Sequence, residues 1–220
     1  MTQWTPDGRA AAVDAILRRA PVLPVLSIER LEDAVPLARA LVAGGLPVLE
    51  VTLRSDVALD AIAAMRAEVS EAIVGAGTIL VPGDLEAVTE AGAVFAISPG
   101  ASDALYAAAI TAPIPFIPAV ATATELMRGL AHGHRRFKFF PARAAGGVDA
   151  MKAFAGPFPQ AKFCPTGGIA ADSAAGYLAL GNVITVGGSW MVPAEALRAR
   201  DWARIEALAA ECTRLRDAAG

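Results

Sequence analysis

Lys138 stands in the run Phe137-Lys138-Phe139-Phe140-Pro141, an ammonium group among aromatics. Only three of the 19 basic residues are lysines, Lys138, Lys152 and Lys162, so arginine carries nearly all solvated positive charge. A lysine in an apolar segment therefore needs its own account. Poor hydration between aromatic and aliphatic walls favours the free amine over the ammonium. A free amine is the nucleophile that forms a Schiff base with a carbonyl compound. A lysine that snorkels to solvent, or is simply paired with an acid, is the alternative. Its place in a strand and the scarcity of lysine weigh against that alternative, while pairing with Glu50 fits both views.

Glu50 belongs to the run Val48-Leu49-Glu50-Val51-Thr52-Leu53-Arg54. Period-2 alternation puts Glu50, Thr52 and Arg54 on one face of a strand and Leu49, Val51 and Leu53 on the other. If the apolar set packs under helices, the polar set points inward. An interior Glu50–Arg54 ion pair that only fills space is the competing reading, but a buried carboxylate is costly unless paired or functional. Paired glycines occur twice, in Pro165-Thr166-Gly167-Gly168-Ile169 and Val186-Gly187-Gly188-Ser189-Trp190. Such turns let backbone N–H groups approach an anion, or simply start a helix.

The elements that must position these residues follow from periodicity. Short β-branched or apolar runs at residues 22–28, 48–53, 72–76, 94–98, 116–119, 137–140, 162–166 and 183–186 alternate with alanine-rich helical stretches. The helices are expected at 31–43, 57–69, 82–91, 102–110, 122–132, 147–155, 172–180, 193–197 and 202–216. Eight nearly continuous apolar strands, each followed by a helix, predict an α/β fold, a single (β/α)8 TIM barrel with an additional N-terminal helix over its N-terminal end. A doubly wound open sheet is the alternative, weakened because no strand leads into a G-x-G-x-x-G loop. In such a barrel the site lies at the C-terminal strand ends, where Glu50, Lys138 and the two Gly-Gly turns converge. Thr78 and Pro99 end the third and fourth strands at the same rim.

The remaining candidates are weaker. His132 and His134 lie two residues apart in a glycine-containing turn after a helix, with no nearby carboxylate, which reads as a solvated loop rather than a metal site. Lys162 starts its strand, at the opposite end from the site, and Lys152 lies on an amphipathic helix; both read as surface charge. Cys164 reads as a packing thiol, because no histidine is placed to activate it. The 220 residues, 55% hydrophobic and 19% charged, predict one globular domain over 1–220. A net charge of −3 argues against a nucleic-acid partner, and two cysteines make no disulfide framework and suggest a reducing cytosol. The first twenty residues lack a signal-peptide pattern. Residues 104–124 are uncharged and long enough to span a membrane, but Pro113, Pro115 and Pro118 break them into helix, turn and buried strand, so no membrane partner is expected.

Six motifs in order, V-L-E-V-T-L-R, I-V-G-A-G-T, F-A-I-S-P-G, F-K-F-F-P-A, F-C-P-T-G-G-I and G-G-S-W-M-V-P-A, resemble the bacterial 2-dehydro-3-deoxy-6-phosphogluconate (KDPG) aldolases, a family also known for 4-hydroxy-2-oxoglutarate aldolase activity. The resemblance covers residues 22–194. It implies a cytoplasmic homotrimer of (β/α)8 barrels, a class I lyase of the Entner–Doudoroff pathway that uses no metal and no cofactor. Its substrate would be a phosphorylated 2-oxo sugar acid, cleaved to pyruvate and glyceraldehyde 3-phosphate. Lys138 matches the Schiff-base lysine and Glu50 the general acid/base. Arg54 and Thr78 match residues holding the pyruvyl carboxylate and a neighbouring oxygen, and Thr166 a position tied to stereochemical preference. Gly167, Gly168 and Ser189 match the phosphate-binding backbone and hydroxyl, and Pro99 and Phe140 match pocket walls. Arg143 stands where an acidic residue is expected, and Ala119 where a glycine is expected.

Overall fold

The computed structural model describes residues 4–215. Helix α1 (Pro6–Leu17) begins where the Thr5 side chain accepts from the Gly8 N–H and Pro6 supplies a preset φ at the first helical position. From there strand and helix alternate: β1 (Val22–Leu26), α2 (Leu31–Ala43), β2 (Val48–Thr52), α3 (Ala58–Glu68), β3 (Ile73–Gly77), α4 (Pro82–Glu90), β4 (Ala96–Ile97) and α5 (Asp103–Thr111). The second half continues with β5 (Phe116–Ile117), β6 (Ala119–Val120), α6 (Ala123–Ala131), β7 (Arg136–Phe139), α7 (Gly147–Ala155), β8 (Lys162–Pro165), α8 (Ala171–Leu178), β9 (Val186–Gly188), α9 (Ala194–Ala199) and α10 (Trp202–Thr213). The expected last helix extended to Arg216, which lies outside the described residues.

All strand pairs are parallel, as βα crossovers require. They form a six-stranded sheet in the order β5-β4-β3-β2-β1-β9 and a three-stranded sheet β6-β7-β8. The run expected as one strand at 116–119 is two, because Pro118 has no N–H to offer the ladder. Its carbonyl nevertheless accepts from Lys138 N at 3.0 Å, linking the two sheets on that side. On the other side, isolated parallel bridges join Phe163 to Val183 and Thr166 to Gly187. The strand expected at 183–186 therefore survives as a bridge and a shifted β9. The uncharged stretch 104–124 resolves into α5, β5 and β6, and no described helix is long and apolar enough to cross a membrane.

Alternation sorts the strand side chains into two cores. Leu49, Val51, Phe137, Phe139 and Phe163 pack outward beneath the helices. Leu23, Val48, Phe95, Ile97, Ile117, Cys164 and Ile184 point inward and meet Val13 and Leu17 of α1, which lies across the strand starts as expected. A bidentate ion pair holds it there: Arg136 Nε and Nη2 each donate to Asp14 at 2.6 Å.

Candidate active site

The inward face of β2 continues from Val48 to Glu50, and the inward face of β7 carries Lys138. Each is fixed by its apolar neighbours, since Leu49 and Val51, and Phe137 and Phe139, are fully buried on the opposite faces. The curvature of the sheets brings the polar pair together. Lys138 Nζ donates to Glu50 Oε1 at 2.9 Å, with Glu50 fully buried and Lys138 6% exposed. This pair excludes the space-filling Glu50–Arg54 alternative. The second carboxylate oxygen, Oε2, is buried without a hydrogen-bond partner among the described residues. An unsatisfied lone-pair set on a buried carboxylate is costly, and it leaves an acceptor facing the site. The Phe140 ring adds a cation–π contact, its centroid 5.4 Å from Nζ.

Gly77, the last residue of β3, makes room for this arrangement. A Cβ there would fall on the Glu50 carboxylate. The requirement was missed in the sequence, although a glycine inside a strand signals close approach of another group. The next residue, Thr78, has φ +64°, a left-handed conformation that is a genuine outlier for a β-branched side chain. It sits half-buried at the rim of β3. Such strain gathers where the surrounding structure over-determines a functional group.

Arg54 lies beyond the end of β2, exposed at the rim, and its Nε donates to Oγ1 of the buried Thr52 at 2.9 Å, as alternation groups the two side chains. Thr52 in turn donates to Leu26 O at 2.7 Å, anchoring the guanidinium at the mouth. Arg54 shares a cavity of about 210 Å3 with Leu26, Ser27 and Ser189. Thr166 follows β8, buried, its hydroxyl nested in the space that Gly187 leaves by lacking a side chain. Pro99 is half-buried after β4, and Ala119 pairs in register with Lys138.

The turn at Gly167 and Gly168 has φ +102° and +74°, values that glycine adopts without strain. The N–H groups of Gly168 and Ile169 have no acceptor among the described residues. Consecutive unpaired N–H groups in a turn form an anion-binding concavity. Ser189 is exposed at the neighbouring turn, which the Thr166–Gly187 bridge brings alongside.

Larger hollows lie elsewhere: about 420 Å3 beside Lys152 and Lys162 and about 320 Å3 between α4 and α5, neither with a buried ionisable group in its wall, and about 250 Å3 beside Asp33, whose buried carboxylate is already paired with Arg30 and Arg200. Lys162 donates to Gly181 O at 2.7 Å at the start of β8, at the end opposite the Lys138–Glu50 pair. Cys164 lies in register beside Lys138, and burial pushes its thiol up to about 12, so it packs rather than attacks. The histidine loop departs from expectation on both counts, burial and the absence of a carboxylate. His134 is 1% exposed rather than solvated, and His132 Nε2 lies 3.5 Å from the Asp103 carboxylate. Among the described residues, no group of three His, Cys, Asp or Glu side chains is placed to hold a metal.

Comparison with known proteins supplies the lineage. The family model for KDPG and KHG aldolase matches residues 13–208. The KHG/KDPG aldolase of Escherichia coli K12 is 56% identical over 200 residues, covering 91% of this chain and 94% of that protein. The KDPG aldolase structure from Legionella pneumophila, with pyruvate captured as a covalent carbinolamine intermediate, is 50% identical with a TM-score of 0.89, covering 91% of this chain and 97% of that one. The Zymomonas mobilis ZM4 2-keto-3-deoxy-6-phosphogluconate aldolase with 3-phosphoglycerate is 50% identical with a TM-score of 0.88, covering 91% and 94%. A fold with helices around parallel strands, an inward lysine and a match along nine-tenths of its length make this chain a member of the KDPG and KHG aldolase family.

Proposed function

We propose that the chain is a class I aldolase that cleaves 2-dehydro-3-deoxy-6-phosphogluconate to pyruvate and D-glyceraldehyde 3-phosphate, and 4-hydroxy-2-oxoglutarate to pyruvate and glyoxylate. The observation that carries this reading is the buried Lys138–Glu50 pair at 2.9 Å. A proton passed along that hydrogen bond leaves an amine beside a carboxylic acid. The amine adds to the C2 carbonyl, and Glu50 protonates the departing hydroxyl as the carbinolamine loses water. The resulting iminium is an electron sink. Glu50, again a carboxylate, takes the C4 hydroxyl proton as the C3–C4 bond breaks and the aldehyde leaves. The enamine left on Lys138 is protonated at C3, and hydrolysis of the imine releases pyruvate and restores the amine. The free Oε2 suits this alternation of roles, because one oxygen can stay with Nζ while the other meets substrate.

In this reading Arg54 and Thr78 hold the pyruvyl carboxylate and its neighbouring oxygen, Pro99 and Phe140 wall the pocket, and Thr166 touches the aldehyde-derived carbon. The Gly167-Gly168 turn and Ser189 take the distal phosphate. Binding there, remote from the reacting bond, helps align C2 with Nζ. The fold that holds them is a single-domain eight-stranded barrel in which β5 and β6 are two halves of the fifth stave. The Pro118 linkage and the bridges from Phe163 and Thr166 support closure on both sides. The family resemblance supports a homotrimer, testable by sedimentation, and the two free buried cysteines suit a cytoplasmic enzyme.

Borohydride reduction in the presence of pyruvate, followed by peptide mass mapping, tests the chemistry. Lys138 should carry the reduced pyruvyl adduct. Labelling of Lys152 or Lys162 instead, or of no lysine, would sink the Schiff-base reading.

A further inference from the structure

Arg143 lies just beyond β7, in the loop that carries Phe140. Its N–H donates to Gly167 O at 3.0 Å, so its backbone is tied to the turn described above. Its side chain lies on that turn as well. A Cβ placed on Gly168 would come within 2.8 Å of Arg143 Cβ and 3.1 Å of its Cδ, so the alkyl stem runs across the face of Gly168 that a side chain would otherwise occupy. The guanidinium at the end of this stem has no ion pair or side-chain hydrogen bond among the described residues. Arg128, Arg136 and Arg200, by contrast, are each committed to carboxylates. Its charge is felt at Tyr177, where it opposes the upward push that burial gives the phenol.

An uncommitted, planar cation whose stem crosses a turn with unpaired N–H groups at Gly168 and Ile169 makes, with them, a donor set suited to a tetrahedral dianion. We propose that Arg143 is a specificity-determining residue that reads the distal phosphate of the substrate, setting the preference for phosphorylated over unphosphorylated 2-oxo acids. The inference rests on the reaction proposed above and adds to it a side chain that none of the catalytic steps needs. Because Arg143 is exposed, its contribution is a solvent-screened, charge-assisted contact. Its chemistry is remote from C2, so it acts on binding and leaves the bond-breaking step alone.

The test is steady-state kinetics of wild type, Arg143→Gln and Arg143→Lys on both substrates, with inorganic phosphate as a competitive inhibitor. For Arg143→Gln we expect KM for the phosphogluconate compound and Ki for phosphate to rise about tenfold. We expect kcat to hold within twofold, KM for 4-hydroxy-2-oxoglutarate to stay unchanged, and Arg143→Lys to recover part of the loss. Equal effects on both substrates would mean a structural role, and no effect on either would mean a solvated arginine; each overturns the proposal. Failure of the underlying reaction looks different, since wild type would then cleave neither substrate and Lys138 would not be trapped with pyruvate.

Discussion

Gly77 lacks a side chain in the space that the carboxylate of Glu50 occupies, so the third strand is shaped around a residue of the second. The register pairs Glu50 with Gly75, and the carboxylate reaches two positions further along its neighbour to lie over Gly77.

Gly77→Ala tests that relationship. Its backbone is in the ordinary strand region, so alanine meets no torsional objection and the added methyl acts only by collision. Overpacking of this kind costs about 1–3 kcal/mol. Displacing Glu50 by even an ångström should lower kcat by about a hundredfold. Urea melts and turnover measured on the same preparation separate the two effects. A variant that is stable and fully active would show that the carboxylate can move without consequence.

The ion pair itself makes a second prediction. Lys138→Met removes the cation and leaves Glu50 buried with neither oxygen satisfied, at a cost of about 3 kcal/mol or more. The double variant Lys138→Met with Glu50→Leu removes both charges and should regain most of that stability while remaining inactive. Denaturant midpoints for the singles and the double decide it. Equal destabilisation of single and double would mean that packing, and not the stranded charge, governs the site. Glu50→Gln keeps the amine, so slow trapping with pyruvate and borohydride should persist there and vanish in Lys138→Met.

Thiol chemistry offers a third. Burial holds the Cys164 thiol up at about 12 and the Cys212 thiol at about 11, so neither supplies appreciable thiolate near neutrality. Native protein at pH 8 should show no rapidly titrating thiol with a disulfide reagent, and two after unfolding. Fast reaction at Cys164 in the native state, with loss of turnover, would reveal an opening of the site.

The residues legible from sequence were those whose faces are set by local alternation. Glu50 and Lys138 could be placed inward because fully apolar neighbours claim the other face, and a buried charge demands a partner of opposite sign. Alternation carries past the strand end to Arg54, whose Nε meets the buried Thr52, but it does not say that the arginine is exposed there. It also gives no measure of strand length, so the interruption at Pro118 and the shift of β9 emerge only from cross-strand pairing. Gly77 escaped for a further reason: it matters through a neighbour from another strand. His134 was misread because its cover comes from far away, with Arg9 of α1 reaching the carbonyl of His132 across 123 positions.

That cover makes His134 the residue through which acid should act on the fold. The imidazole is buried, its centroid 5.3 Å from that of Tyr106 and 5.9 Å from that of Phe116. Burial foremost, then the charges of Arg9 and His132, holds it down at about 3 against an ordinary value of 6.5. Below pH 6.5 the unfolded chain therefore binds a proton that the folded protein refuses. Stability from this group is full above pH 6.5 and is lost as pH falls toward 3, by up to about 1.4 kcal/mol per pH unit. His134→Leu removes the titrating ring, so its urea midpoint should decline less steeply between pH 6 and 4 than that of wild type. Parallel acid limbs for the two proteins would assign the sensitivity to groups other than His134.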